Sequence, residues 1–241
     1  MLSKNEIKYI QSLCHKKQRQ EEGLFIAEGP KLVAEVLQSA YVIKKIYALE
    51  GWVQEHGNAG IEPIIITEIE LQKISALQSP NQVLLVAEQK KIVDTIDFTQ
   101  KLTLVLDGIQ DPGNLGTIIR IADWFGIKQV IASEDTVEMY NPKVIQGSMG
   151  SFVRVQVGYE SLPNLLKNAT VPVFGALLNG KPIHELLPVS EGILVIGNEG
   201  KGISNELLPF ITHPVTIPRI GGAESLNAAV ATGIIVSHLK K

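Results

Sequence analysis

Cysteine is nearly absent from this sequence of 241 residues, in which Cys14 is the single thiol. One cysteine excludes an internal disulfide framework and is typical of proteins from a reducing compartment. The sequence also has no histidine cluster with metal-ligand spacing, so it predicts no metal site. Neither a nucleophile elbow nor a kinase signature occurs, which disfavours a conventional nucleophilic hydrolase. The scattered histidines are His15, His56, His184, His213 and His238.

Long apolar runs are missing as well. No segment has the length and hydrophobicity that a membrane-spanning helix requires, and the first residues, MLSKNEIKYI, lack the apolar core of a signal peptide. We therefore expect no membrane association and a cytoplasmic location. The 22 basic and 25 acidic side chains give a net charge of −3, which excludes a globally basic nucleic-acid binder but not a local basic patch.

The densest basic run is HKKQRQ, residues 15–20, in which Lys16, Lys17 and Arg19 lie close together. Such a run is either a solvated helix face or a contact surface for RNA. Because short charge runs are common, the run considered alone favours the solvated face.

Short apolar segments alternate with helical patterns along the whole chain, and this alternation predicts an α/β fold. The polar segment 88–101 is the best candidate linker, and it divides the chain into domains 1–93 and 94–241. In the second domain we expect a mostly parallel sheet that is covered on both faces. Its predicted strands are LTLVLD, QVIA, FVRVQV, VFGALL, ILVIG and a strand running to Pro218, with predicted helices at 115–125, near 141–148, at 161–168 and at 225–239.

Three loops of the second domain follow predicted strands, where ligands bind in open parallel sheets. The first contains Asp-Pro-Gly-Asn, a strong turn sequence, and Asn114 is predicted to cap the following helix. On that helix Arg120 points away from the apolar stripe, on the same side as Gly116. Arg120 is either a solvated charge or a guanidinium above a groove that the glycine leaves open, and spacing alone favours the solvated charge.

The second loop, IGNEGKGIS, has the glycines of a phosphate-binding loop but the wrong spacing. Glu199 would also repel a phosphate held by the same loop. Glycines that permit close backbone approach, beside a carboxylate, suit a neutral heterocycle or a cationic ligand. A tight turn without a ligand is an equally good interpretation of this segment alone.

The third loop precedes a helix that is apolar almost all round, as in helices buried in a core or an interface. Ser225 is predicted to cap this helix. Asn227 lies in its predicted first turn, where a buried amide needs a hydrogen-bond partner.

Taken together, these loops resemble the three motifs of the SpoU/TrmH family of RNA 2′-O-ribose methyltransferases, within the SPOUT class. The matching residues are Asn114-x-Gly116-x-x-x-Arg120, then Gly197-Asn198-Glu199-Gly200-x-Gly202, then Ile217-Pro218 followed by Glu224-Ser225-Leu226-Asn227. Residues 141–152 resemble the segment between the first two motifs. In the first domain, EEGLFIAEGPKLVAEVL and SPNQVLLVAE resemble the family's substrate-binding module, which is akin to an RNA-binding ribosomal-protein fold. Arg219 departs from the family, which usually has an apolar residue there.

The resemblance implies a SPOUT domain with a deep trefoil knot, a rare exception to the unknotted rule. It also implies a homodimer with the active site near the subunit interface and S-adenosylmethionine (AdoMet) held in the knot. By this resemblance Arg120 activates the ribose 2′-hydroxyl, while Asn114, Glu199, Ser225 and Asn227 order the loops and orient the reacting groups. The implied cofactor-binding residues are Leu177, Gly197, Asn198, Gly202, Ile217 and Leu226, and the proposed RNA contacts are Lys16, Lys17 and Arg19.

The expected function is methyl transfer from AdoMet to a ribose 2′-hydroxyl of RNA. Ribosomal RNA is favoured over transfer RNA because two-domain members of the family often act on rRNA. A tRNA 2′-O-methyltransferase, or a non-catalytic RNA-binding or ribosome-assembly factor, remains an alternative. A methyltransferase for a small molecule or a protein is disfavoured by the RNA-binding character of the first domain.

Overall fold

The computed structural model describes residues 1–57, 60–90 and 96–240. The helices are α1 Lys4–Ser12, α2 Lys16–Glu22, α3 Pro30–Leu37, α4 Glu50–His56, α5 Glu68–Ile74, α6 Pro112–Trp124, α7 Pro142–Gly147, α8 Leu162–Lys167 and α9 Ala228–Leu239. The strands are β1 Leu24–Glu28, β2 Ile43–Ala48, β3 Ile64–Ile65, β4 Val83–Glu88, β5 Leu102–Leu106, β6 Gln129–Ala132, β7 Gln156–Tyr159, β8 Val173–Pro182, β9 Gly192–Ile196 and β10 His213–Thr216. None of the described helices has both the length and the apolar character needed to cross a lipid bilayer.

The chain forms two compact units. Met1–Lys91 and Glu138–Val153 make up the first, and Ile92–Val137 and Arg154–Lys241 make up the second. The assignment of 138–153 to the first unit has no signal in the sequence. The predicted linker, residues 88–101, lies partly outside the described residues, and so does the predicted boundary between residues 93 and 94.

The first unit contains a four-stranded sheet in the order β1-β4-β2-β3. Strand β4 is antiparallel to both β1 and β2, whereas β3 is parallel to β2. Ile10, Tyr47, Ile74 and Leu84 are fully buried in its core. The segment 138–153 joins this unit through aromatic packing, since the ring of Tyr140 lies 4.8 Å from that of Phe25.

The second unit contains a six-stranded sheet in the order β10-β8-β9-β5-β6-β7, and every pair in it is parallel. The predicted α/β fold with a parallel sheet is confirmed. Strands β5 and β9 are buried along their whole length, as expected for central strands covered on both faces. Helices α6 and α9 pack against each other, with Gly233 of α9 beside Ile121 of α6.

Several predicted elements have other bounds in the structure; helix α6, for example, begins at Pro112 rather than at residue 115. The expected strand FVRVQV is divided into a 3-10 turn at Ser151–Val153 and strand β7 at Gln156–Tyr159. Helix α9 begins at Ala228 rather than at residue 225. In addition, the register of β8 against β10 jumps from Gly175 to Lys181, so residues 176–180 leave the ladder.

Candidate active site

The candidate site lies at the carboxyl edge of the parallel sheet in the second unit. Strand β5 leads into the first loop, β9 leads directly into Gly197, and β10 ends one residue before Ile217. Because all strands run in the same direction, the three sequence motifs begin at one edge of one sheet.

The first loop ends at the N-terminus of α6. Asp111 caps this helix by accepting a hydrogen bond from the backbone N–H of Asn114 at 2.9 Å, and Pro112 occupies the first helical position. The prediction that Asn114 caps α6 is therefore wrong. Since Asp111 takes the capping role, the side chain of Asn114 is available for contacts outside its own helix.

The third loop ends at the N-terminus of α9, and here the cap is Asn227 rather than Ser225. The Asn227 Oδ1 atom accepts hydrogen bonds from the backbone N–H groups of Ala229 at 3.0 Å and Val230 at 3.2 Å. Ser225 is exposed, and its hydroxyl has no partner among the residues that the structure describes. The predicted capping role of Ser225 is wrong. Asn227 is exposed rather than buried, and its own helix supplies the partners of its Oδ1 atom.

A chain of side-chain hydrogen bonds joins the three motifs. Asn227 Nδ2 donates to Asn114 Oδ1 at 2.7 Å, and Asn114 Nδ2 donates to Glu199 Oε1 at 2.5 Å. A carboxylate acceptor makes the second bond charge-assisted, and such bonds are short and strong. Asn114 is thus the central member of the chain, with Glu199 on one side and the N-terminus of α9 on the other.

Arg120 is exposed on α6 and has no hydrogen-bond or ion-pair partner in the described ranges. Its guanidinium is therefore available to a ligand. Arg219 is also exposed, and it donates to the backbone oxygen of Ala223 at 3.2 Å, which bridges the loop before α9.

The predicted cofactor residues line the same sheet edge. The backbone N–H groups of Gly197, Ile217 and Leu226 have no protein partner in the part of the chain that the structure describes. Leu177 lies in the stretch of β8 that leaves the ladder, where it packs against the apolar core of this unit. Unpartnered donors beside a half-buried apolar side chain are the chemistry that an adenine ring requires.

Asn198 and Gly202 shape the second loop. Their backbones form a two-bond bridge, with Asn198 N to Gly202 O at 3.0 Å and Gly202 N to Asn198 O at 2.8 Å. A Cβ atom on Gly197 would lie 2.2 Å from the carbonyl carbon of Gly202. Gly197 is therefore required by close backbone approach, whereas Gly202 has a φ of 70° that favours glycine.

The proposed RNA contacts lie in the first unit and do not all face solvent. Lys16 and Lys17 are exposed at the start of α2, and 87% of the Lys17 side chain is accessible. Arg19 is only 1% exposed, because its guanidinium donates to Glu138 Oε1 at 2.5 Å and to the backbone oxygen of Leu13 at 2.8 Å. Arg19 does not reach solvent, so we remove it from the proposed RNA contacts.

Sequence reasoning missed two polar residues at the sheet edge. Asp107 follows β5 and accepts a hydrogen bond from the backbone N–H of Ser204, while Ser133 follows β6 and accepts one from Gly108. The available signal was their position, since each is the first polar residue after an apolar strand.

No group of three or more His, Cys, Asp or Glu side chains in the described residues could hold a metal ion.

Comparison with known proteins identifies the family. The model of the SpoU rRNA Methylase family matches residues 101–237, which is more than half of the chain. The chain belongs to the SpoU methylase family. A second model, the MRM3-like substrate binding domain, matches residues 4–85.

Several relatives of this SpoU family member match it over nearly its full length. The 23S rRNA (guanosine(2553)-2′-O)-methyltransferase RlmP of Bacillus subtilis is 35% identical, and the match covers 99% of this chain and 97% of the relative. A TrmH-family structure from Porphyromonas gingivalis superposes with a TM-score of 0.88 at 37% identity, covering 100% of this chain and 98% of that one. The AdoMet-bound rRNA methyltransferase of Sinorhizobium meliloti gives a TM-score of 0.87 at 27% identity, with 99% and 96% coverage.

Proposed function

We propose that this protein transfers a methyl group from AdoMet to a ribose 2′-hydroxyl of RNA, and that large-subunit ribosomal RNA is the substrate. The hydrogen-bonded chain Glu199–Asn114–Asn227 carries the proposal, because it assembles one residue from each motif at a single sheet edge. The B. subtilis relative, named as a 23S rRNA 2′-O-methyltransferase, supports rRNA over tRNA.

The residues at this edge fit AdoMet. The unpartnered backbone N–H groups of Gly197, Ile217 and Leu226 would hold the adenine, with Leu177 against its face and Asn198 and Gly202 shaping the loop. When bound, AdoMet supplies an electrophilic methyl group on a cationic sulfonium. A carboxylate near that charge is favourable, which gives Glu199 a second reason to lie in a glycine-rich loop.

Arg120 would act on the acceptor hydroxyl. A guanidinium stays protonated in proteins, so Arg120 cannot serve as a base in the ordinary sense. Its positive charge instead favours the negative charge that develops on the 2′-oxygen, while a water molecule or an RNA phosphate takes the proton. Asn114, Glu199, Ser225 and Asn227 would keep the loops in place, so that ribose and methyl group meet in line.

A homodimer and a trefoil knot complete the proposal. The homodimer is supported by apolar side chains on α6 and α9 that no described residue covers, since Trp124 is 83% exposed and Val230 is 50% exposed. A second copy of the protein packed on this face would cover both side chains. The knot is supported by family membership.

The first unit would bind the RNA substrate. Its match to a substrate binding domain and the exposure of Lys16 and Lys17 support this role. Both lysines can neutralise phosphates, which makes binding salt-dependent. The likeness to the B. subtilis rRNA methyltransferase supports the cytoplasmic location that the sequence predicts.

The test of the function is Arg120→Ala, with Lys128→Ala as a control that removes an exposed cation of the same unit before β6. We expect Arg120→Ala to lower methyl transfer by roughly a hundredfold or more, because a donor to the developing charge is lost. AdoMet binding by calorimetry should stay within about twofold, since Arg120 is not assigned to the adenine site. Tritiated-methyl incorporation into rRNA and tRNA transcripts measures both the rate and the substrate class.

Full activity of Arg120→Ala would contradict the role of Arg120. If the unmodified protein binds AdoMet but methylates neither RNA, the non-catalytic RNA-binding factor becomes the better function. If tRNA is methylated and rRNA is not, the substrate class is wrong while the reaction stands.

A further inference from the structure

The loop after β9 is held in one shape by its own backbone and by Asn198. Besides the two-bond bridge between Asn198 and Gly202, the Asn198 Oδ1 atom accepts hydrogen bonds from the N–H groups of Gly200 at 2.9 Å and Lys201 at 3.1 Å. The loop is thus a small closed unit with Glu199 at its tip. Any movement of this unit would displace Glu199 relative to Asn114.

A single residue outside the loop binds both of its ends. The backbone N–H of Asp107 donates to the oxygen of Ile196, the residue before the loop, at 2.9 Å. The Asp107 Oδ2 atom accepts the backbone N–H of Ser204, two residues after Gly202, at 2.6 Å. Asp107 therefore connects the entry and the exit of the loop to the end of β5.

The neighbouring residue adds a third attachment. The oxygen of Gly108 accepts a hydrogen bond from Asn198 Nδ2 at 2.7 Å, and the N–H of Gly108 donates to Ser133 Oγ at 2.9 Å. Ser133 in turn donates to Asp135 Oδ1 at 2.6 Å. The position of Gly108 is therefore set from the next strand, and the loop is attached to a rigid sheet edge.

The carboxylate of Asp107 is not needed for the sheet itself. Strands β5 and β9 pair from Leu102 with Gly192 to Leu106 with Ile196 through backbone bonds alone. The Asp107 side chain is half-buried, and among the described residues its one hydrogen bond is the bond to Ser204. The role of the Asp107 carboxylate is therefore to bind the 197–204 loop, and not to pack in the core.

We propose that Asp107 is a positioning residue for the AdoMet site: its carboxylate holds the 197–204 loop where Gly197 can meet the adenine and Glu199 can meet Asn114. This inference rests on the proposed methyltransferase function. Asp107 acts through the loop and touches none of the reacting atoms.

The experiment compares Asp107→Ala with Asp107→Asn and with the control Asp97→Ala. The control removes an aspartate of the same unit that pairs with Lys101, before the start of β5. Asp107→Ala should raise the Kd for AdoMet about tenfold, because a hydrogen bond to a charged acceptor is lost. Asp107→Asn keeps an oxygen acceptor and should recover most of the affinity. The KM for AdoMet should rise with the Kd, while the KM for RNA stays unchanged.

Trypsin provides a measurement that does not depend on activity. Lys201 is exposed in the loop, so the rate of cleavage after Lys201 reports how often the loop opens. Asp107→Ala should be cleaved there about ten times faster than the unmodified protein, Asp107→Asn at an intermediate rate, and Asp97→Ala at the original rate. If Asp107→Ala does not fold, the test is whether trypsin cleaves Asp107→Asn after Lys201 faster than it cleaves the unmodified protein.

An unchanged cleavage rate in the folded variants would overturn the positioning role, and so would an unchanged Kd for AdoMet in Asp107→Ala. The two proposals fail in different ways. Absence of AdoMet binding in the unmodified protein would remove the methyltransferase function, whereas faster cleavage after Lys201 in Asp107→Ala would still show that Asp107 holds the loop.

Discussion

The link between Asn114 and Glu199 allows a sharp test by Asn114→Asp. This substitution keeps the shape of the side chain but replaces the Nδ2 donor with an oxygen that faces the Glu199 carboxylate. In the unmodified protein, Asn114 Nδ2 and Glu199 Oε1 are 2.5 Å apart. The bond to Asn227 is preserved, because Asn227 Nδ2 can still donate to an oxygen at position 114. The change is therefore confined to one contact.

The magnitude follows from two contributions. The lost hydrogen bond to a charged group is worth about 1.5–3 kcal/mol. Two carboxylates about 4 Å apart repel each other by about 1 kcal/mol in water and about 4 kcal/mol near a protein surface. The loop can move to relieve part of this repulsion, so we expect a loss of about 3 kcal/mol, or roughly two decades in kcat/KM for methyl transfer.

The fold should tolerate the same change. Position 114 is the third residue of α6, and a negative charge in the first turn of a helix is favourable by about 0.3–1 kcal/mol. This gain offsets only part of the lost contact, so we expect the free energy of unfolding to fall by about 2 kcal/mol and the Tm by roughly 4–8 °C, while activity falls by about two decades. Asn164→Asp, which adds the same charge at an exposed position of α8, is the matched control and should leave both unchanged.

A second substitution tests whether loss of the contact between Asn114 and Glu199 causes the defect. In Asn114→Asp combined with Glu199→Gln, the donor and the acceptor exchange places, and the contact between the two loops can form again. The double variant should bind AdoMet better than Asn114→Asp alone, with a coupling energy of about 1–3 kcal/mol in the mutant cycle. Activity of Asn114→Asp within twofold of the unmodified protein would show that the chain of hydrogen bonds does not organise the site.

Two further predictions concern stability. Thr103→Val should raise the free energy of unfolding by about 1 kcal/mol and the Tm by roughly 2–4 °C, because the Thr103 hydroxyl is fully buried without a partner among the described residues. In the first unit, backbone hydrogen bonding from Thr67 lowers the pKa of Glu70 from 4.5 to about 2. A lowered carboxyl pKa stabilises the fold above the unfolded value, and this contribution is lost as the pH falls towards 2. Urea unfolding of Glu70→Gln should therefore depend less on pH between 4.5 and 2, whereas an unchanged slope would assign the acid sensitivity to other groups.

Much of the architecture could be predicted because the strands are apolar and end in polar loops. Apolar runs bounded by turns predict all six strands of the second unit, although the predicted strand FVRVQV begins four residues before β7. Its first residues, Phe152 and Val153, form a 3-10 turn in the compact unit that includes 1–91. Local periodicity carries no information about which unit a segment joins, because that choice depends on distant contacts such as the one between Phe152 and Phe25.

The inward orientation of the Arg19 side chain could not be predicted for a related reason. Helix α2 has the sequence KKQRQEE, which contains no apolar residue and therefore no stripe to indicate its buried face. Arg19 turns inward because Glu138, more than a hundred residues away, provides a carboxylate for its guanidinium. A buried charge requires such a partner, and only the folded chain supplies it.

The cap of α9 shows how a tertiary contact decides between local alternatives. Ser225 and Asn227 are about equally good capping residues, so local sequence cannot rank them. At position 227 the cap also orients an amide. Its Oδ1 atom faces the helix donors, and its Nδ2 atom must then donate to Asn114 Oδ1, which leaves Asn114 Nδ2 to donate to Glu199. Exchanging oxygen and nitrogen in either amide would place donor against donor. The polarity of the helix terminus thus sets the direction of each hydrogen bond from Asn227 to Glu199, and it requires an acceptor at the position that the Glu199 carboxylate occupies.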